Sequence, residues 1–292
     1  MKLGIYRLHE ILDADGLSVA EKAIGRTINL ISVYRAWNDC NIEADRPWLE
    51  RLKGSRRDIL LTWEPWRLPL VNNRSWEQPD FSLSQVLSGR YDDYIMNFAQ
   101  TLAGFPQTIY LRPMHEMNGN WYPWCGCVNH NRVSQFVPVW HYLRNLVGRY
   151  AFSDLQWVWS PYATSYPHTD DNAMRHYFPG DDAVDWVALD GYNWGTTRPE
   201  VGWQSFDRIF REAYQSLTAL SHRPIMIAET ACSEMGGDKA EWIEHAFHGL
   251  KNRFARIKLM VWFDADKECD WRIDSSLRAF NAFRKAVSRS NR

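Results

Sequence analysis

Arg112-Pro113-Met114-His115-Glu116-Met117-Asn118-Gly119 sits just ahead of Trp121, Tyr122 and Trp124. An acid, an imidazole, an amide and three large aromatics thus fall within ten residues, directly after a short apolar run. A packed core has no use for that mixture. A site that grips a pyranose and protonates its glycosidic oxygen does. The carboxyl supplies the proton, imidazole and amide hold hydroxyls, and flat indole faces cover the C–H face of the ring.

A second carboxyl completes the chemistry. Glu229, in Ile227-Ala228-Glu229-Thr230, ends another apolar run. Two carboxyls facing each other suit glycoside hydrolysis, one as nucleophile and one as acid/base, with retention when they lie roughly 5–5.5 Å apart. Burial beside Trp121 or Trp124, and repulsion from Glu229, would keep Glu116 protonated; donors such as Tyr192 would keep Glu229 ionised. Either Glu alone reads more readily as half of a structural salt bridge; the two together in this setting do not. Arg112 has two readings, as a partner of Glu229 or as an internal salt bridge.

Around the pair stand candidate sugar contacts: His115, Asn118, Trp121, Trp124, Glu64, Trp66, Tyr192, Asn193 and Trp262. Asp190 reads as a supporting residue behind them. His115 begins no HExxH motif, because position 119 is Gly, and no GxSxG elbow is present. No metal and no cofactor is implied. The five cysteines match no zinc spacing, and Cys125-Gly126-Cys127 is too short to close an easy disulfide. They read as buried or loop thiols.

These residues need a scaffold. Eight short apolar runs recur: 3–6, 28–34, 58–63, 108–112, 155–160, 184–190, 224–229 and 257–263. Helical patterns lie between the later ones, at 91–102, 133–149, 205–220 and 239–254, and 275–287 closes the chain. Strands alternating with helices over 292 residues predict a single (β/α)8 barrel domain spanning 1–292. A doubly wound sheet would announce a glycine-rich first turn, and Gly4-Ile5-Tyr6-Arg7 is not one. Barrel enzymes carry their sites at the C-terminal ends of the strands. Glu64, His115, Glu116, Asp190, Tyr192, Asn193, Glu229 and Trp262 all fall at such ends.

Composition narrows the partners. The formal net charge of -1 gives no basic excess to neutralise phosphates, so nucleic acid is excluded. No apolar run approaches the roughly 20 residues of a membrane span. The start reaches Arg7, His9 and Glu10 too early for a signal-peptide core. As written the chain reads as cytoplasmic, or as secreted if a leader has been removed. No heptad or interface stripe indicates an oligomer. With 16 Trp, 13 Tyr and 13 Phe, many aromatics must be core. Those just after apolar runs, Trp63, Trp66, Trp121, Trp124, Trp194 and Trp262, suit an aromatic-lined cleft.

The 112–119 segment with Trp121 and Trp124 resembles the fourth-strand signature of glycoside hydrolase family 26. Segments 88–95, 184–193, 227–229 and 261–263 are similar to other parts of that family. The family contains endo-β-1,4-mannanases, some mixed-linkage β-1,3-1,4-glucanases and β-1,3-xylanases. The resemblance implies a retaining barrel hydrolase with Glu116 as acid/base and Glu229 as nucleophile. It also implies that His115, Trp121, Tyr192 and Trp262 surround the cleaved sugar. The expected activity is endo-β-1,4-mannanase. Mixed-linkage glucanase, a hydrolase of exopolysaccharide and a catalytically silent carbohydrate-binding barrel are the alternatives.

Overall fold

The computed structural model describes residues 1–7, 14–70, 74–150 and 154–289. His9 and Glu10, part of the leader argument, lie outside them. Eight parallel strands follow one another in chain order around a closed barrel: β1 Lys2–Tyr6, β2 Leu30–Ala36, β3 Asp58–Glu64, β4 Ile109–Pro113, β5 Leu155–Trp159, β6 Trp186–Asn193, β7 Ile225–Cys232 and β8 Ile257–Phe263. The helices are α1 Ala14–Ile24, α2 Ile42–Lys53, α3 Leu83–Leu87, α4 Asp92–Leu102, α5 Phe136–Val147, α6 Phe206–Leu220, α7 Lys239–Asn252 and α8 Leu277–Arg289. The fold is the (β/α)8 barrel that the alternation predicts. No helix among the described residues is long and apolar enough to cross a membrane.

The chain packs as two compact units, Val33–Val187 with Leu220–Arg223, and Met1–Ser32 with Ala188–Ala219 and Pro224–Arg292. In the first, β3 and β4 run in register from Ile59↔Ile109 to Trp63↔Pro113, and β4 continues against β5. Trp63 is fully buried and stacks on Phe98 of α4, with centroids 4.8 Å apart. It is therefore a core residue rather than part of a cleft. Burying an aromatic of that size contributes on the order of 3 kcal/mol.

In the second unit, β1 pairs with β8 from Lys2↔Leu259 to Tyr6↔Phe263. Gly4 is required there, since a Cβ would come within 2.9 Å of Leu30 and Val261 side chains. Helix α6 buries Phe206, Phe210, Ala213 and Leu217, one stripe at helical spacing. Asp238 caps α7 by accepting from the backbone N–H groups of Ala240 and Glu241.

Helix α2 and strands β6 and β7 differ from the sequence reading for physical reasons. Helix α2 carries Pro47 in its interior, which normally argues against a helix, but Asn41 caps its start and Leu49 and Leu52 bury its face. Strands β6 and β7 run on to Asn193 and Cys232, past the polar residues that looked like their ends. Those polar groups are buried, so the ladder does not stop where hydrophobicity does.

All five cysteines are free thiols. Burial pushes Cys125 and Cys232 up to about 12, so both stay protonated near neutrality. Cys127 is exposed. A thiol reagent applied to the native protein should modify Cys127 first and reach Cys125 and Cys232 only on unfolding. Peptide mapping after timed labelling checks this, and equal rates at all three would contradict the packing described.

Candidate active site

The chain leaves β4 through an unusual turn. Met114 and Glu116 both have left-handed backbone angles, φ 51° and 53°. Such angles cost an L-residue of order 1–3 kcal/mol and persist only where the surroundings fix them. Here they do. The Met114 N–H donates to the Trp63 carbonyl and the Glu116 N–H to the Ser160 carbonyl at 2.7 Å. The Glu116 carbonyl accepts from the Gly119 N–H and from the Cys125 thiol.

The turn sets the Glu116 carboxyl, whose residue is 5% exposed, against Trp121. The indole Nε1–H donates to Glu116 Oε2 at 2.7 Å. Gly119 makes that possible: a Cβ there would sit 2.6 Å from the Trp121 ring. The Trp121 carbonyl is in turn held by the Ser75 hydroxyl.

Beneath this lies a buried layer. His115 is enclosed by Tyr122, Trp124 and Tyr34, with centroids 4.8, 5.9 and 6.0 Å away. Trp124 donates its indole N–H to the His115 carbonyl and stacks on Tyr122. Trp124 is fully buried, so it shapes the turn rather than covering a sugar. Trp66, half-buried, meets Tyr122 and Trp124 edge-on. Glu64 is buried as the last residue of β3. Arg112 donates to the Thr62 hydroxyl through Nε and Nη2, and to the Tyr34 hydroxyl.

Asn118 corrects its expected role. It is fully buried, its amide donates to the Tyr162 carbonyl and the Ser165 hydroxyl, and its Oδ1 accepts from the Tyr162 N–H. Every polar atom of the side chain is spent on joining the turn after β4 to the loop after β5. Both amide hydrogens are used and the side chain is fully buried, so Asn118 offers no donor to a substrate hydroxyl.

In the second unit, Glu229 lies on β7 and is 5% exposed. The Tyr192 hydroxyl, from β6, donates to Glu229 Oε2 at 2.5 Å. Tyr192 packs against Trp271, Phe263 and Trp194, with centroids 5.1, 5.8 and 5.9 Å away. Asp190 is fully buried on β6. Asn193 also departs from expectation. Its amide donates to Cys232 Sγ and its Oδ1 accepts from the Gly195 and Gln204 N–H groups, so it organises the loop after β6.

Trp262 is the clearest correction. It is fully buried, its indole donates to the Trp271 carbonyl, and its ring meets Trp242 of α7 and Phe283 of α8 edge-on. Side chains alternate along a strand, so Trp262 turns outward to the helices while Phe263 turns the other way, onto Tyr6 and Tyr192. Phe263 and Trp271, whose rings pack against Tyr192, were not among the sequence candidates. A lone Trp in the polar stretch Lys267 to Arg272, just after a strand end, was the available signal. Asp264 is also occupied: burial raises its pKa and Arg7 opposes that, while its Oδ1 accepts from the Ile273 N–H.

A family model described as glycosyl hydrolase family 26 matches residues 78–258, which include both carboxyls, Trp121 and Tyr192. The chain belongs to glycosyl hydrolase family 26. Endoglucanase H of Acetivibrio thermocellus is 32% identical over 268 residues, covering 90% of this chain and 28% of that protein. Mannan endo-1,4-beta-mannosidase A and B of Caldalkalibacillus mannanilyticus is 32% identical over 164 residues, covering 54% of this chain and 28% of that protein. The matched region thus spans 28% of the length of either relative. The catalytic domain of a Bacillus sp. JAMB-750 GH26 endo-β-1,4-mannanase superposes with a TM-score of 0.72 at 13% identity, covering 99% of this chain and 85% of that one. That likeness shows the family's fold.

Two substitutions test the geometry. Tyr192→Phe removes a hydrogen bond to a carboxylate, and turnover should fall roughly ten- to hundredfold with KM little changed. Gly119→Ala should displace the Trp121 ring, seen as a changed tryptophan emission maximum alongside lost activity. Unaltered kinetics in both variants would contradict the roles given to Tyr192 and Gly119.

Proposed function

We propose that the chain is a single catalytic domain acting as a retaining endo-β-glycanase, with Glu116 as acid/base and Glu229 as nucleophile. One observation carries the reading: each buried carboxyl accepts a hydrogen bond from its own aromatic donor, Trp121 Nε1 or the Tyr192 hydroxyl. A silent sugar-binding barrel would need the aromatics but not two carboxyls so held. Glu116 follows β4 and Glu229 lies in the C-terminal half of β7, toward the rim where barrels of this kind carry their chemistry.

In the first step, Glu229 attacks the anomeric carbon while the Tyr192 hydroxyl donates to its carboxyl. Glu116 passes its proton to the departing glycosidic oxygen, and a glycosyl ester forms on Glu229. In the second step, Glu116 takes a proton from water, the oxygen attacks the same carbon, and the ester bond to Glu229 breaks. Two inversions give net retention. Trp121 steers Glu116 by donating to its Oε2.

For the substrate we favour a gluco-configured polymer, a mixed-linkage β-glucan. The relative that matches nine-tenths of the chain bears the name endoglucanase. On that support we rank glucan ahead of the mannan expectation. Mannan is the second reading, supported by the name of the mannosidase relative, which matches 54% of the chain. The two sugars differ in the 2-hydroxyl, and a site built to bond one orientation rejects the other strongly.

Reducing-end release from barley-type glucan, linear mannan, galactomannan and β-1,3-xylan tests this. Glucan should be cleaved fastest, and Glu229→Ala should lower the rate by at least about 10⁴-fold. Glu116→Ala should lose most activity on polymer but much less on an aryl glycoside whose leaving group needs no proton. Fastest cleavage of mannan would reverse the substrate order. A Glu229→Ala protein with near wild-type turnover would remove the nucleophile.

A further inference from the structure

The loop after β5 carries two tyrosines that nothing above uses. Tyr162 meets the Trp121 ring edge-on at 5.3 Å, and Tyr166 lies 5.7 Å from the same ring at 56°. Their own centroids are 6.2 Å apart. The three rings make a continuous aromatic wall that begins at the indole bonded to Glu116 and runs outward. Tyr166, at its outer end, is 38% exposed.

The wall is built in advance of any ligand. Asn118, two residues beyond Glu116, holds the loop from below. It bonds both backbone groups of Tyr162 and the Ser165 hydroxyl, and its carbonyl accepts from the Tyr166 N–H at 2.8 Å. Asn172 donates to the Asn118 and Pro167 carbonyls, and the Tyr177 hydroxyl holds Asn172. A large exposed ring on a loop fixed this way loses little entropy when a flat ligand covers it.

Position relative to the proton donor gives the wall a direction. Resting on the glycanase reading, Glu116 delivers its proton to the oxygen of the departing sugar. Rings that continue from the indole bonded to Glu116 out to the exposed Tyr166 then lie beside the leaving group. We propose that Tyr166 and Tyr162 extend Trp121 into a platform for the sugar residues on the leaving-group side of the scissile bond. Tyr166 offers the principal stacking surface and Tyr162 braces it against Trp121.

The test compares two leaving groups. One substrate is the polymer the wild type cleaves best, whose leaving group is a sugar chain. The other is an aryl glycoside of a short fragment of the same polymer, which has no sugar on that side. Tyr166→Ala should lower kcat/KM on the polymer about three- to tenfold, the worth of one aromatic contact, and leave the aryl glycoside within about twofold. Tyr166→Phe keeps the ring and should restore polymer cleavage. A Tyr166→Ala protein that treats both substrates as the wild type does, or loses both equally, would overturn the platform. Wild-type protein inert on both substrates would overturn the glycanase reading itself, and the platform with it.

Discussion

The turn after β4 holds a carboxyl at a backbone angle that ordinary residues avoid, and its surroundings are organised to keep it there. Glu116 and Met114 take left-handed φ values because neighbouring carbonyls on β3 and after β5 claim their N–H groups. Without that grip the backbone would relax toward the favoured regions, and the carboxyl would swing away from Trp121. The glycine at 119, the stacked pair Tyr122 and Trp124, and the amide of Asn118 all serve the same end. Strain of this kind is a form of preorganisation: folding fixes the orientation of the acid before substrate arrives.

The carboxyl on β7 is held differently. Glu229 sits on β7 where the pairing with β8 shifts register, between Ile227 and Thr230, and its carboxyl accepts a short hydrogen bond from Tyr192. Tyr192 is locked by three aromatic neighbours, and Asn193 next to it fixes the following loop through two hydrogen bonds and reaches Cys232 of β7 through a third. A buried, fully satisfied polar group of this kind is rigid because every alternative leaves a donor or acceptor unpaired. One carboxyl is thus positioned by a strained turn and the other by a packed phenol. That difference suits the proposed roles: the acid must present one oxygen outward, and the nucleophile must stay ionised.

The strand and helix order was legible in the sequence because apolar runs and helical stripes carry it directly. Glu116 and Glu229 were legible because polar residues at strand ends are conspicuous in a barrel. Three site features were not. Trp262 and Phe263 are adjacent, and which of them faces outward depends on strand register rather than on residue type. Asn118 and Asn193 look like sugar ligands, but their amides are spent on loop backbone. The left-handed turn has no glycine at Met114 or Glu116 to announce it. Each case turns on a partner that the local residue pattern does not reveal, from Gly195 and Gln204 for Asn193 to Ser160 for Glu116, so composition and spacing could not name it.

The central claim is double displacement through Glu229, and the configuration of the first product tests it most directly. Proton NMR of the reducing sugar, recorded during early hydrolysis of the preferred polymer before mutarotation, distinguishes the anomers. The account predicts that the β-anomer appears first, with α growing in only as mutarotation proceeds. Initial appearance of the α-anomer would mean single displacement, and would contradict the roles given to both Glu229 and Glu116.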